Sequence, residues 1–202
     1  MRALLLAALL LSAAAVADIT TTTELPRGVR PTAYSLEISP DAEAMRFHGE
    51  ETISIDVSIP TPTITVNGID LVVAKASLIA ADGQSVALTS SVDAAHQTIT
   101  FTAPKPIPQG VHRLTLSYDG RIGTQAVGLF ALDYASARGR ERALYTQLES
   151  TDARRMFPSF DEPQFRTPFT IDVVAPAGLM AVSNMPAANT TPLPDGRVRT
   201  HF

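Results

Sequence analysis

The chain has 202 residues, of which 45% are hydrophobic and 18% charged, and a formal net charge of −4; this is the size of one domain and too apolar for a disordered chain. Sixteen Lys and Arg against 20 Asp and Glu leave no basic excess to displace phosphate counterions, which argues against a nucleic-acid partner. Fifteen prolines, all beyond position 25, exclude a bundle of long helices, and zero cysteines exclude disulfides, zinc ribbons and thiol nucleophiles.

Residues 1–17 read as a signal peptide. Met1 and Arg2 give a positive start, residues 3–11 are apolar, and Ala15-Val16-Ala17 is a small-x-small cleavage site. The apolar run is too short to span a bilayer, so the expectation is an exported chain, periplasmic or secreted, without a stable membrane span. The domain proper is then 18–202.

Beyond Pro31 the pattern turns to period two. Ile53, Ile55, Val57 and Ile59 alternate with Thr52, Ser54, Asp56 and Ser58, which predicts a strand with one branched apolar face. Further strands are predicted over 34–38, 63–66, 69–73, 76–79, 86–88, 98–102, 111–118, 129–132, 143–148, 169–175, 180–183 and 198–202. Asn67-Gly68, Asp82-Gly83, Asp119-Gly120 and Asp195-Gly196 are candidate turns; the second lies between two apolar runs, as a hairpin requires. One short helix is predicted at 153–156, after Ser150, Thr151 and Asp152 and before Pro158. The fold class is therefore all-β, an antiparallel sandwich or saddle-like sheet.

His48, His96, His112 and His201 are scattered without metal-ligand spacing, and His112 is expected to face solvent from its strand. Glu50 and Glu51 are adjacent, so on a strand they point to opposite faces and cannot pair. The segment 146–163, TQLESTDARRMFPSFDEP, carries more chemistry. On a strand Gln147 and Glu149 leave the same face, and a carboxamide beside a carboxylate suits an ammonium group. Asp152, Arg154, Arg155, Asp161 and Glu162 follow closely; they read as an ion-paired corner, with guanidinium forks pinning the turn.

This segment resembles the TQxE/Q-x-x-DAR-x-x-FPCFDEP signature of the N-terminal domain in the M1 family of zinc aminopeptidases, of the aminopeptidase N type. Lesser matches follow in order: LPRGVRPTAYSLEI from Leu25, FHGEETISIDV from Phe47, NGIDLVV from Asn67, GLFALDY from Gly128 and FTIDVVAPAGLMAVSNMP from Phe169. The resemblance implies a sheet-rich domain beside a thermolysin-like catalytic domain. Gln147 would help line the first substrate pocket, and Glu149 would help bind the free α-amino group of a peptide. Asp161, Glu162 and Pro163 would be structural, and Ser159 stands where many relatives have Cys.

The family's H-E-x-x-H zinc motif and its G-A-M-E-N motif are absent from this sequence. The resemblance therefore implies zinc in a full-length parent, with ligands outside this chain and no catalytic residue within it. The alternation at 198–202 predicts a strand entered but not left, so the chain is expected to be a piece of a longer enzyme, cut near the end of its N-terminal domain. Its expected partners are peptide substrates and its own catalytic domain, and alone it is expected to be inactive. The competing reading is a free-standing exported β-sandwich that binds a partner without chemistry.

Overall fold

The computed structural model describes residues 24–202; the predicted signal peptide at 1–17 lies outside them. Two long strands frame the fold: β1 (Val29–Asp41) and β2 (Arg46–Val57), paired antiparallel over their full length. Every second residue of β2 is buried, with Phe47, Gly49, Glu51, Ile53, Ile55 and Val57 on the inner face. The period-two pattern thus sets which face is core. β3 (Thr61–Asn67) leaves this sheet, and β4 (Val72–Ile79) returns to it. β4 forms a hairpin with β5 (Ser85–Ala87) across Asp82-Gly83, where Gly83 has φ 83°. β6 (Thr89–Asp93), β7 (Thr98–Ile107) and β8 (Gly110–Arg121) follow, then β9 (Gly128–Ser136) and β10 (Gly139–Gln147). A single 3-10 turn at Ala153–Arg155 precedes β11 (Phe169–Pro176), β12 (Asn189–Pro192) and β13 (Arg197–His201).

The strands form an eight-stranded sheet ordered β12-β13-β11-β1-β2-β8-β4-β5, a three-stranded sheet β3-β7-β6, and the separate hairpin β9-β10. Ile64 and Val66 of β3 and Ile99 and Phe101 of β7 share one core with Ile53, Ile55, Leu114, Leu116 and Tyr118 of the large sheet. This is the predicted mostly-β sandwich, with one correction: β11 runs parallel to β1, pairing Tyr34 with Phe169, so the large sheet is mixed. Alternation in a sequence fixes faces; it does not encode neighbour or direction.

Other boundaries moved for local reasons. Residues 69–71 are not strand: Asp70 adopts φ 55°, and the chain re-enters the sheet only at Val72. Residues 180–183 form no strand, while the polar, exposed edge strands β6 and β12 carry no alternation to reveal them. Asp119-Gly120 is not a turn but lies within β8. A Cβ on Gly120 would stand 2.2 Å from the Phe47 ring, so the glycine serves close packing rather than chain reversal. His112 does not face solvent: it is 4% exposed, with Nε2 2.9 Å from the Pro108 carbonyl. Glu50 and Glu51 do point to opposite faces, Glu50 outward and Glu51 into the core.

Candidate functional site

The signature segment forms the corner between β10 and β11. Gln147 is the last residue of β10 and is exposed. Glu149 follows beyond the strand, before a cis peptide to Ser150. The expectation that both side chains leave one strand face is therefore corrected, because the strand ends between them. Glu149 instead lines a cleft of about 560 Å³ with Ser150, Tyr34, Phe157, Phe165 and Phe169, and Gln147 does not reach it.

The turn after Glu149 is tight because Pro158 cannot continue a helix. Only Ala153–Arg155 is helical, and the Asp152 side chain makes no cap bond there. Asp152 instead accepts from Arg155 Nε at 2.7 Å. Arg155 in turn packs against Gly128 at the base of the hairpin: at φ 62°, a Cβ on that glycine would lie 2.7 Å from the Arg155 Cβ. This contact fixes the hairpin, and with it Gln147, against the corner.

Arg154 is the corner's buried fork. Its Nε donates to Asp161 Oδ2 at 2.9 Å, Nη2 to the Asp161 carbonyl at 3.1 Å, and Nη1 to Gln97 Oε1 at 3.1 Å. Both side chains of the Arg154–Asp161 pair are about nine-tenths buried, at 10% and 11% exposure. Such a pair holds geometry, since either partner alone would be an uncompensated buried charge. Glu162 receives the Leu25 amide at 2.6 Å and Arg27 Nη1 at 2.5 Å. Burial works to raise its carboxyl, but Leu25, Arg27 and Gln164 outweigh burial and hold it below the usual carboxylate range. Pro163 lines the same cleft.

Three supporting residues escaped sequence reasoning. The Tyr34 hydroxyl accepts the Phe160 amide at 3.0 Å, and Asn67 Oδ1 accepts the Asp161 amide at 3.2 Å. Asn67 and Ser159 also exchange backbone bonds, at 2.7 and 3.0 Å. Gln97, from the turn before β7, completes the Arg154 shell. Asn67 sits in a quoted match, NGIDLVV, and its carboxamide was the available signal; Tyr34 and Gln97 act through tertiary contacts that no local pattern announces.

The electrostatic outcome is asymmetric. Asp152, Asp161 and Glu162 each hold an arginine. Glu149 is the one acid of the corner with no cationic partner among the described residues, and it is exposed.

The histidines do not suit a metal. His48 has Nδ1 2.9 Å from Asp119 and Nε2 3.0 Å from Glu50, so both ring nitrogens are engaged by carboxylates. Those contacts, Asp119 first, raise its pKa against a smaller opposing effect of burial. Among the described residues there is no group of three or more His, Cys, Asp or Glu that could hold a metal ion. The zinc implied by the family resemblance thus has no fitting donor set among the described residues.

Residues 30–202 match the family model of the peptidase M1 N-terminal domain. The chain is 38% identical over 180 residues to an aminopeptidase N of Acetobacter pasteurianus, covering 89% of this chain and 50% of that protein. It is 35% identical over 178 residues to aminopeptidase M1-D of Oryza sativa subsp. japonica, covering 88% of this chain and 20% of that one. Against endoplasmic reticulum aminopeptidase 1 of Homo sapiens the identity is 30% over 183 residues, covering 88% and 19%. The chain thus spans half or less of the length of these relatives. With its sheet-rich fold and the Arg154–Asp161 corner in place, the chain belongs to the M1 aminopeptidase family, whose N-terminal domain it carries.

Proposed function

We propose that this chain is the substrate-recognition and structural domain of an exported, zinc-dependent aminopeptidase that removes N-terminal residues from peptides. The observation that carries the reading is the unpaired, exposed carboxylate of Glu149 on a corner whose other acids are all neutralised by arginine. A carboxylate held on a pinned turn offers an α-ammonium a charge-assisted bond with little ordering cost. Gln147 lies outside the cleft that Glu149 lines, but it is tied to the same corner through the Gly128–Arg155 contact and would line the first substrate pocket as the family resemblance implies. Holding the amine fixes the distance from the peptide's end, so that only the first peptide bond is presented for hydrolysis. In the parent enzyme zinc would supply the activated water, held by residues outside this chain, and the 202-residue chain alone is expected to release no amino acids. The export route delivers the enzyme to the periplasm or the medium.

The test is kinetic. The protein expressed through its whole reading frame is expected to release amino acids from peptides in a chelator-sensitive reaction. Glu149→Gln is expected to raise KM for free-amine substrates roughly 10- to 100-fold, the worth of one charge-assisted hydrogen bond. An unchanged KM, or chelator-sensitive release by the 202-residue chain alone, would overturn the reading.

A further inference from the structure

A carboxyl group sits in the core between two tyrosines. On β2, Glu51 lies opposite Leu36 of β1 and Leu116 of β8, while Tyr34 lies opposite Ile53 and Tyr118 opposite Gly49. Tyr34 and Tyr118 are therefore its diagonal neighbours, one on each flank and about 7–8 Å away along the backbone, within reach of long side chains. All three are buried, and neither the Glu51 oxygens nor the Tyr118 hydroxyl has a partner among the described residues. Gly49 makes room for Tyr118, since a Cβ there would stand 2.3 Å from the ring.

Tyr34 joins this cluster to the signature corner. Its hydroxyl accepts the Phe160 amide at 3.0 Å, its ring stacks on Phe169 at 4.6 Å, and it lines the same cleft as Glu149. Burial above all keeps both phenols protonated, so Glu51 is the group of the three that titrates. No cation offsets it. Asp161 beyond Tyr34 is held by Arg154, Glu50 points outward, and Ile64, Val66, Ile99 and Phe101 across the core carry no charge. An ionised carboxylate buried in this way needs water or added donors. The strands around Glu51 are paired along their whole length, whereas the corner is a single 3-10 turn and loop. The corner is the layer that can yield.

We propose that Glu51 is a pH-sensitive latch on the signature corner: as a neutral acid it keeps Tyr34 and the corner in place, and loss of its proton to solvent lets the corner lift and admit water. The closed form holds the proton more tightly than the open form, whose carboxyl has its ordinary 4.5. The closed-to-open ratio therefore falls up to about tenfold per pH unit from there to the raised value. Peptide affinity scales with the closed fraction if Glu149 must be in place; that consequence rests on the functional reading above, and the latch itself does not.

The experiment is residue-resolved hydrogen exchange on the protein expressed through its whole reading frame, between about pH 5 and 9, corrected for intrinsic rates. The probes are the amides of Phe160 and Asp161, which donate to Tyr34 and Asn67, with Ile53 on β2 as reference. In the wild type both probes are expected to exchange roughly ten times faster than Ile53 or more, and to lose protection with rising pH. Glu51→Gln is expected to flatten that dependence, and Tyr34→Phe to speed exchange at Phe160 at every pH. Protection independent of pH in the wild type, a slope that survives in Glu51→Gln, or a Phe160 rate unmoved by Tyr34→Phe overturns the latch. So does a Phe160 amide no faster than Ile53, since the corner would then open only with the whole domain. Exchange reads the latch without activity: flat exchange with an intact Glu149→Gln effect refutes the latch alone, and pH-dependent exchange without that effect refutes the site alone.

Discussion

Glu51 is the sharpest internal test of the packing account. It lies on the inner face of β2 between Gly49 and Ile53, opposite Leu36 and Leu116 of the neighbouring strands, and is 3% exposed. Neither of its carboxyl oxygens has a hydrogen-bond partner among the described residues, and the nearby Tyr118 hydroxyl has none either. Burial pushes the Glu51 carboxyl well above its ordinary 4.5. A native carboxyl that binds its proton more tightly than the unfolded chain makes stability fall as pH rises from the unfolded value toward the raised one. Glu51→Met removes the unpaired group at nearly constant volume and is expected to add about 1–3 kcal/mol. At roughly 2–4 °C per kcal/mol for a domain of this size, Tm rises by about 2–12 °C. Glu51→Gln keeps two unpaired polar atoms, so it gains less but abolishes the carboxyl's pH slope. The assay is thermal unfolding of the chain, followed by circular dichroism between about pH 5 and 9. A Met variant that melts below wild type, or a pH slope that survives in the Gln variant, would refute the reasoning.

Other expectations concern the corner and the outer sheet face. Asp161→Ala leaves Arg154 buried without its carboxylate and is expected to cost about 3 kcal/mol in denaturant unfolding; a loss under about 1 kcal/mol would contradict the pinned corner. Ser159 is 3% exposed with an unpartnered hydroxyl, so Ser159→Cys is expected to stabilise by about 1 kcal/mol in the same assay. The His48–Asp119 pair raises the imidazole pKa, so its stabilisation is full below the unfolded value of about 6.5 and disappears as pH rises through the folded one. Because His48 is 44% exposed, screening holds that gain below about 1 kcal/mol. An NMR titration of the imidazole tests the direction, and a pKa below the free value contradicts it.

The sequence disclosed most about faces and least about neighbours. The alternation from Thr52 to Ile59 placed Ile53, Ile55, Val57 and Ile59 on one apolar face; the structure buries the first three completely, but β2 ends at Val57 and Ile59 is 67% exposed. The same alternation did not reveal that β11 lies parallel to β1, because the corner, not the strand pattern, brings Phe169 beside Tyr34. His112 shows the converse limit. Its polar type suggested solvent, but as the third residue of β8 it falls on the buried phase of the strand, where the Pro108 carbonyl satisfies one ring nitrogen. At the corner, the Arg and carboxylate spacing predicted ion pairing. Which acid pairs with which arginine depends on a turn the sequence does not specify, and that pairing leaves Glu149 free. The braces from Tyr34, Asn67 and Gln97 come from distant segments and became visible only in the folded chain.

The central claim is that Glu149 recognises the free amine of a peptide. A double-mutant cycle tests it most directly, comparing wild type and Glu149→Gln, in the protein expressed through its whole reading frame, on an aminoacyl anilide and its analogue lacking the α-amine. The account predicts that the substitution lowers kcat/KM roughly 10- to 100-fold for the amine substrate and hardly at all for the analogue, a coupling of about 1.5–3 kcal/mol. Equal losses on both substrates, or none on either, would contradict it.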